Sequence, residues 1–399
     1  MNPFSLRVTR TRPAATFATA ALARSLRAAG RDVISLAIGE PDFPTPNHVI
    51  EAAHKAALDG QTRYPPIAGT EALRCAVARK FGRDQGLKVA PTDVLVTNGG
   101  KQAIFDAVMA VVEQGDEVVI PAPCWAGYIQ VVEFAGGSPI FVPCPAENGF
   151  RLSASDLSAA IGPRSKLLLL NFPNNPSGAV ADAAMLRDIA EVLRKHPQLR
   201  VVSDDIYEHL VFDGLCKTLA AEAPDLSDRI LTMSGVSKSY AMTGWRLGFC
   251  TGPRDWLDGM LVVQGSSTAG VSTISQAAAV AALDGPQDIL EERRAVYHQR
   301  SIRVVDALAR APGLSCSPPQ GAFYAFPSVK GLLGRRTPRG RLLVNDEDFA
   351  GALLEEALVA TVPGTAFAMS GHIRLSTAAA DMDLDIACSR IVDFCKALV

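Results

Sequence analysis

The residues Ser234-Gly235-Val236-Ser237-Lys238-Ser239-Tyr240 follow directly on Arg229-Ile230-Leu231-Thr232-Met233. The second run is short, apolar and β-branched, and reads as a buried parallel strand. A lysine therefore stands just past a strand end, among small hydroxylated residues. Further on is Arg246, within Thr243-Gly244-Trp245-Arg246-Leu247-Gly248-Phe249. A lysine so placed can hold a carbonyl compound as a Schiff base, and an arginine can hold a phosphate. Taken alone, Lys238 reads equally as one of many lysines on a polar loop. The rest of the chain decides between the two.

Working outward, apolar runs alternate with amphipathic stretches from about 46 to 285. Strands are expected at 93–97, 117–120, 167–170, 200–203, 229–233 and 247–250. Helices are expected at 48–58, 71–81, 101–113 and 182–195, with Ile104, Val108, Val111 and Val112 on one face of the third. This alternation predicts an α/β fold, a mostly parallel sheet covered by helices on both faces. After Pro286 the pattern changes to a long charged helix over 287–311, short strands around 321–326, and helices near 347–357 and 381–398. That tail and residues 1–45, with an alanine-rich helix at 14–29 and a strand at 33–36, are expected to form a smaller α+β domain. The Gly/Pro-rich Ile38 to Pro46 reads as a domain boundary or pocket wall. The expected domains are thus 46–285, and 1–45 with 286–399.

Composition sets limits on function. The 399 residues carry 39 basic and 41 acidic side chains, a net charge of -2. Near-neutrality argues against non-specific binding to nucleic acid or a membrane surface. No apolar run reaches membrane-spanning length, and the basic first twelve residues lack the apolar core of a signal peptide. The 8 cysteines form no CxxC pair and read as free thiols in a reducing cytoplasm. The 6 histidines show no metal-ligand spacing, so no metal is expected.

In open α/β sheets, ligands bind beyond the carboxyl ends of the strands. The unusual residues fall at such ends. Gly99-Gly100 lets amides at a helix start approach a phosphate, and Arg246 adds a bidentate charge. Trp125 offers a flat face for a heteroaromatic ring. Asp204 can keep a ring nitrogen protonated. Asn175 and Tyr207 can bond a phenolic oxygen, and Lys238 closes the imine. Together they describe a site for pyridoxal phosphate. Neither GxxxxGK[ST] nor a GxGxxG after the first strand is present, which disfavours a nucleotide cofactor.

These residues resemble a known family. Asn174-Asn175-Pro176-Ser177-Gly178, Asp204-Asp205-Ile206-Tyr207-Glu208-His209-Leu210, Ser237 to Phe249 and His372-Ile373-Arg374-Leu375-Ser376 are together similar to the class I aminotransferases of pyridoxal-phosphate fold type I. The opening through Pro46 and the tail resemble the bacterial aspartate and prephenate aminotransferase branch. The resemblance implies a large domain with a seven-stranded sheet and a small domain closing over the site. It implies that Lys238 carries the cofactor and shuttles a proton, that Asp204 pairs with the pyridinium, and that Asn175 and Tyr207 hold the ring hydroxyl. It implies stacking by Trp125 and a phosphate site made of Gly100, Lys101, Gln102 and Arg246. Tyr64 resembles a tyrosine that reaches the phosphate of a neighbouring subunit, which implies a homodimer with shared sites. Arg374 resembles the arginine that forks the substrate α-carboxylate, with Gly39, Trp125 and Asn175 lining that pocket. Arg12 resembles a basic residue presented to a distal carboxylate, and reads equally as an exposed arginine on an arm.

Two departures stand out. Where many relatives have a phosphate-binding serine this chain has Gly235, so that contact is absent or comes from Ser237. Residues 265–268 match a loop of the dimer interface only loosely. The implied reaction is ping-pong transfer of an amino group from aspartate or another dicarboxylic donor to a 2-oxoacid such as 2-oxoglutarate. Aromatic, alanine or prephenate transamination and a lyase share the same cofactor cradle. A transcription regulator would need a further DNA-binding domain.

Overall fold

In the computed structural model, which describes residues 3–11 and 15–399, a two-residue strand β1 (Ile34–Ser35) precedes a seven-stranded sheet. The sheet comprises β2 (Val94–Thr97), β3 (Glu117–Ala122), β4 (Ser138–Pro143), β5 (Ser165–Asn171), β6 (Arg200–Asp204), β7 (Ile230–Gly235) and β8 (Gly248–Thr251). Their order is β2-β8-β7-β6-β5-β3-β4. All pairs are parallel except those of β8, which runs antiparallel to both β2 and β7. The expected strands do not include β4, whose exposed and half-buried residues mark an edge strand.

Both faces of the central strands are buried because consecutive apolar residues run through their middles. Leu167, Leu169, Val202 and Met233 enter one core, while Leu168, Leu170, Val201 and Ile230 enter another. Side chains alternate across a strand, so such runs need a helical layer on each side. Ahead of the sheet lie α1 (Leu6–Arg10), α2 (Ala15–Ala28), α3 (Asn47–Leu58) and α4 (Glu71–Gln85). Between strands come α5 (Gly100–Met109), α6 (Ala126–Ala135), α7 (Ala154–Ala160), α8 (Ala183–Lys195) and α9 (Leu219–Glu222). After β8 follow α10 (Arg254–Ser267) and α11 (Thr273–Asp284). The ends follow local chemistry. Asp182 caps α8 by accepting from the Met185 amide, and α4 runs on to Gly86, whose φ of 70° ends it in the left-handed region.

The remainder packs on a separate core. It contains α12 (Asp288–Leu308), β9 (Tyr324–Ala325), α13 (Asp346–Ala357), β10 (Val359–Ala360), β11 (Val362–Pro363), β12 (Ile373–Ser376) and α14 (Asp381–Lys396). Strand β1 pairs with β10, and Ile34 and Leu36 share a core with Val304, Phe349, Ile373 and Ile391. Residues from the two ends of the chain thus meet in one layer. Among the described residues no helix is long and apolar enough to cross a membrane.

Candidate active site

The carboxyl ends of β5, β6 and β7 lie side by side, with Asn171 paired in register to Asp204 and Asp204 to Met233. A cavity of about 500 Å³ opens above them. Lys238 enters it from the loop after β7. Burial lowers its ammonium to about 8, Arg374 and Arg246 add to that, and Nζ donates to the Gly39 carbonyl at 2.7 Å. Asp204 faces it from the floor. Its Oδ2 accepts from the Tyr128 hydroxyl at 2.5 Å and its Oδ1 from the Ile206 amide at 3.2 Å. Burial outweighs these bonds and raises the carboxyl to about 6. A cation held beside Asp204 would reverse that shift.

One wall is built for an anion. Helix α5 starts at Gly100 after Gly99, whose φ of 80° favours glycine, and no side chain caps it. A Cβ on Gly99 would lie 2.7 Å from Nη2 of Arg246, and one on Gly248 would lie 2.6 Å from the Gly100 amide nitrogen. Glycines thus let the helix start, β8 and the arginine crowd together. Arg246 is exposed, its Nη1 donates to the Thr243 carbonyl, and among the described residues no carboxylate pairs with it. Lys101 lines the same wall, its pKa lowered by burial and then by Arg246. Though less than Gly248, Gly235 is crowded too. A Cβ there would lie 3.0 Å from the Leu247 carbonyl oxygen and 3.1 Å from Cδ1 of Ile206, so a serine at 235 would need its neighbours to move. Ser237 is buried and lines the cavity.

The opposite wall carries Arg374 from β12. It is 3% exposed, donates from Nη1 to Oδ1 of Asn175 at 2.9 Å and from Nη2 to the Ala37 carbonyl at 2.6 Å, and lies 4.7 Å from the Tyr324 ring centre. Its Nε is buried without a hydrogen-bond partner, and among the described residues it has no acidic partner. A buried, uncompensated guanidinium calls for a carboxylate. Tyr207 is buried, its hydroxyl 2.7 Å from that of Tyr324. Trp125 lies edge-on to Tyr128 at the start of α6.

Of the residues singled out in the sequence, Gly39, Gly100, Lys101, Trp125 and Asn175 line this cavity. So do Asp204, Tyr207, Ser237, Lys238, Arg246 and Arg374. Gln102 does not: its amide donates to Asp106 at 2.5 Å and reaches Ser267, because the helical rotation from Lys101 carries it to another face. Tyr64 is 97% exposed and outside the cavity of its own chain. Arg12 lies outside the described residues. The sequence reading missed Tyr128, Tyr324 and Asn171, whose amide donates to the Asp204 carbonyl. Tyr128 is three residues past Trp125, one helical turn on, and only the helix's packing on the sheet aims it at Asp204.

The donor set fits pyridoxal phosphate: a depressed lysine, a buried acid opposite it, a helix start with an unpaired arginine, and a second buried arginine. The chain belongs to the family of class I and II aminotransferases, whose model matches residues 31–391. It is a transaminase that uses pyridoxal phosphate, on the fold type I architecture. It is 46% identical over 390 residues to an aspartate/prephenate aminotransferase of Cereibacter sphaeroides, covering 98% of each chain. It also resembles the crystal structure of an aspartate aminotransferase from Rhizobium meliloti, at 44% identity, a TM-score of 0.96 and full coverage of both chains. An aspartate aminotransferase from Thermus thermophilus with maleate matches at 39% identity and a TM-score of 0.92, covering 99% of this chain and 100% of that one.

Proposed function

We propose that the enzyme moves an amino group from aspartate, or another dicarboxylic amino acid, to a 2-oxoacid such as 2-oxoglutarate by a ping-pong mechanism. The observation that carries the amino-acid part is Arg374, a buried guanidinium with a free Nε and no acidic partner among the described residues. It would fork the α-carboxylate, with Asn175 and Gly39 beside it. The names of the relatives and the maleate of the Thermus structure support a dicarboxylic side chain. Lys101, whose Nζ lies 5.7 Å from the Trp125 ring centre, can share its charge between the phosphate and such a side chain.

Each residue has a distinct task. Bound pyridoxal phosphate supplies a carbonyl that condenses with amines and a ring that takes up the electron pair left by the departing α-proton. Lys238 holds the cofactor. Its free Nζ would take the α-proton and pass it on to a different carbon rather than back to the α-carbon; a value near 8 suits a base working close to neutral pH. Asp204, oriented by Tyr128, holds the ring nitrogen's proton. Asn175 and Tyr207 would hold the ring hydroxyl, Trp125 would cover the ring face, and Gly100, Lys101, Ser237 and Arg246 would hold the phosphate.

The same reading treats 46–285 as the cofactor domain and 1–45 with 286–399 as the domain that closes over it. It makes the enzyme a cytoplasmic homodimer, with the exposed Tyr64 reaching a neighbour's phosphate; eight free cysteines are in keeping with that compartment. Borohydride treatment of the loaded enzyme should fix the cofactor to Lys238. A panel of single half-reactions, one amino acid at a time, should rank aspartate first. Equal rates for alanine and aspartate would remove the dicarboxylic assignment. Mixing Lys238→Ala and Tyr64→Ala subunits should restore part of the activity that both parents lack; no recovery on verified exchange would refute shared sites.

A further inference from the structure

The charged helix α12 contributes nothing to the cavity described above, yet two of its arginines are spent on the segment that crosses the site's mouth. Arg293 is 5% exposed. Its Nη1 donates to the Ser239 carbonyl at 3.1 Å, its Nη2 to the Pro44 carbonyl at 2.7 Å, and its guanidinium lies 5.2 Å from the Phe43 ring centre. Arg300, two turns along, pairs with Asp42 and Asp381 and lies 5.6 Å from the same ring. Among the described residues Arg293 itself has no ion pair; Asp42, Glu292 and Tyr297 are the charged and titratable groups that act on it.

Ser239 is the residue after Lys238. Pro44 belongs to a strap, residues 39–45, whose Gly39 carbonyl accepts from Lys238 Nζ. The strap is tied to the lysine segment at three further points. The Thr243 hydroxyl donates to Glu40, the Thr45 hydroxyl to the Ala241 carbonyl at 2.9 Å, and Trp245 Nε1 to Thr45 Oγ1 at 3.0 Å. A purely apolar filler against Phe43 would avoid desolvating a charge. A forked cation does something a filler cannot: it binds carbonyls of two separate segments at once.

We propose that Arg293 is a positioning residue for Lys238, clamping the backbone beyond the lysine to the 39–45 strap and so holding Nζ in place beside the Gly39 carbonyl. The proposal rests on the transaminase reading.

The test compares Arg293→Lys and Arg293→Met with the wild type. The rate at which apo-protein takes up pyridoxal phosphate, measured from pH 6 to 9, reads the free Lys238 amine without any substrate. The groups that set Lys238 are Arg374, Glu40, Arg246 and Asp204, none of which changes in the variants. In both, uptake is expected to slow about tenfold and kcat to fall more than KM rises. The pH midpoint should move up from about 8, because slack lets water reach the ammonium. A lowered melting temperature with uptake rate, pH midpoint and kcat all unchanged would make Arg293 merely structural and overturn the proposal. Should Arg293→Met fail to fold, Thr45→Val, which unties the strap from Ala241, must shift the same readouts in the same directions; no shift there overturns it too. A wild-type protein that takes up no cofactor at any pH refutes the transaminase reading itself, which the variants cannot mimic.

Discussion

Tyr128, on the first turn of α6, donates its hydroxyl to Oδ2 of Asp204 at 2.5 Å, tying the acid at the end of β6 to the helix that begins after Trp125. The bond opposes the rise in the Asp204 pKa that burial causes. Tyr128→Phe should therefore push that carboxyl above about 6 and weaken its hold on the ring nitrogen. A hydrogen bond to a charged group contributes about 1.5–3 kcal/mol, so kcat should fall about tenfold or more. The acid limb of the pH–rate profile should move to higher pH. A profile superimposable on wild type would show the bond to be idle.

Asp204 also predicts how cofactor loading changes stability with pH. Its folded value of about 6 lies above its unfolded value of 3.8. Its contribution in the apo-protein is thus fully present below about 3.8 and is lost as pH rises through about 6. A cation bound beside it removes that loss. The melting-temperature gain on loading should grow by a few degrees from pH 5 to pH 7 in wild type relative to Asp204→Asn. Lys238 titrates in both proteins, shifted further down in Asp204→Asn, where the acid no longer raises it; Lys238→Ala in both backgrounds removes that contribution. Parallel gains in the two would refute the assignment.

Arg374→Gln should damage every amino donor alike, because all share an α-carboxylate. Removing one partner of a buried charge pair costs about 2–5 kcal/mol, so kcat/KM should fall at least about 30-fold for aspartate and alanine together. Steady-state kinetics on both donors checks this, and a loss confined to aspartate would move Arg374 to the side-chain pocket.

Gly39 has no room for a side chain, since a Cβ there would lie 2.1 Å from the Tyr324 hydroxyl oxygen. Gly39→Ala should displace Tyr324 from Tyr207 at a cost of about 1–3 kcal/mol. Adding Tyr324→Phe removes the worst of the clash, leaving a ring carbon at 2.9 Å, and should recover part of the loss, which a double-mutant cycle on melting temperature and kcat measures. Strictly additive losses would mean that the two residues do not meet.

The side-chain pocket is tested by Lys101→Ala and Arg12→Ala. If either cation reads a distal carboxylate, KM for aspartate should rise about tenfold while KM for alanine stays close to wild type. A Lys101 variant whose cofactor dissociates more readily, with both donors equally affected, would place that lysine on the phosphate alone.

Most of this architecture is legible without coordinates, because its signals are local. Leu167 to Leu170 reads as a strand buried on both faces, and Gly99-Gly100 before an amphipathic run reads as a tight turn or a helix start open to a ligand. Strand ends carrying Asn175, Asp204 and Lys238 follow from the same alternation, so the cofactor is readable there, with Lys238 as the residue proposed to hold it. What the sequence could not supply are relations between distant segments. The antiparallel direction of β8, the turn of Gln102 away from the cavity, and the bonds from Tyr128 to Asp204, Arg374 to Asn175 and Arg293 to Ser239 depend on how layers pack. No spacing along the chain encodes them. A residue's type sets what it can bond, but which partner it meets is decided by the register of the sheet and the rotation of each helix upon it.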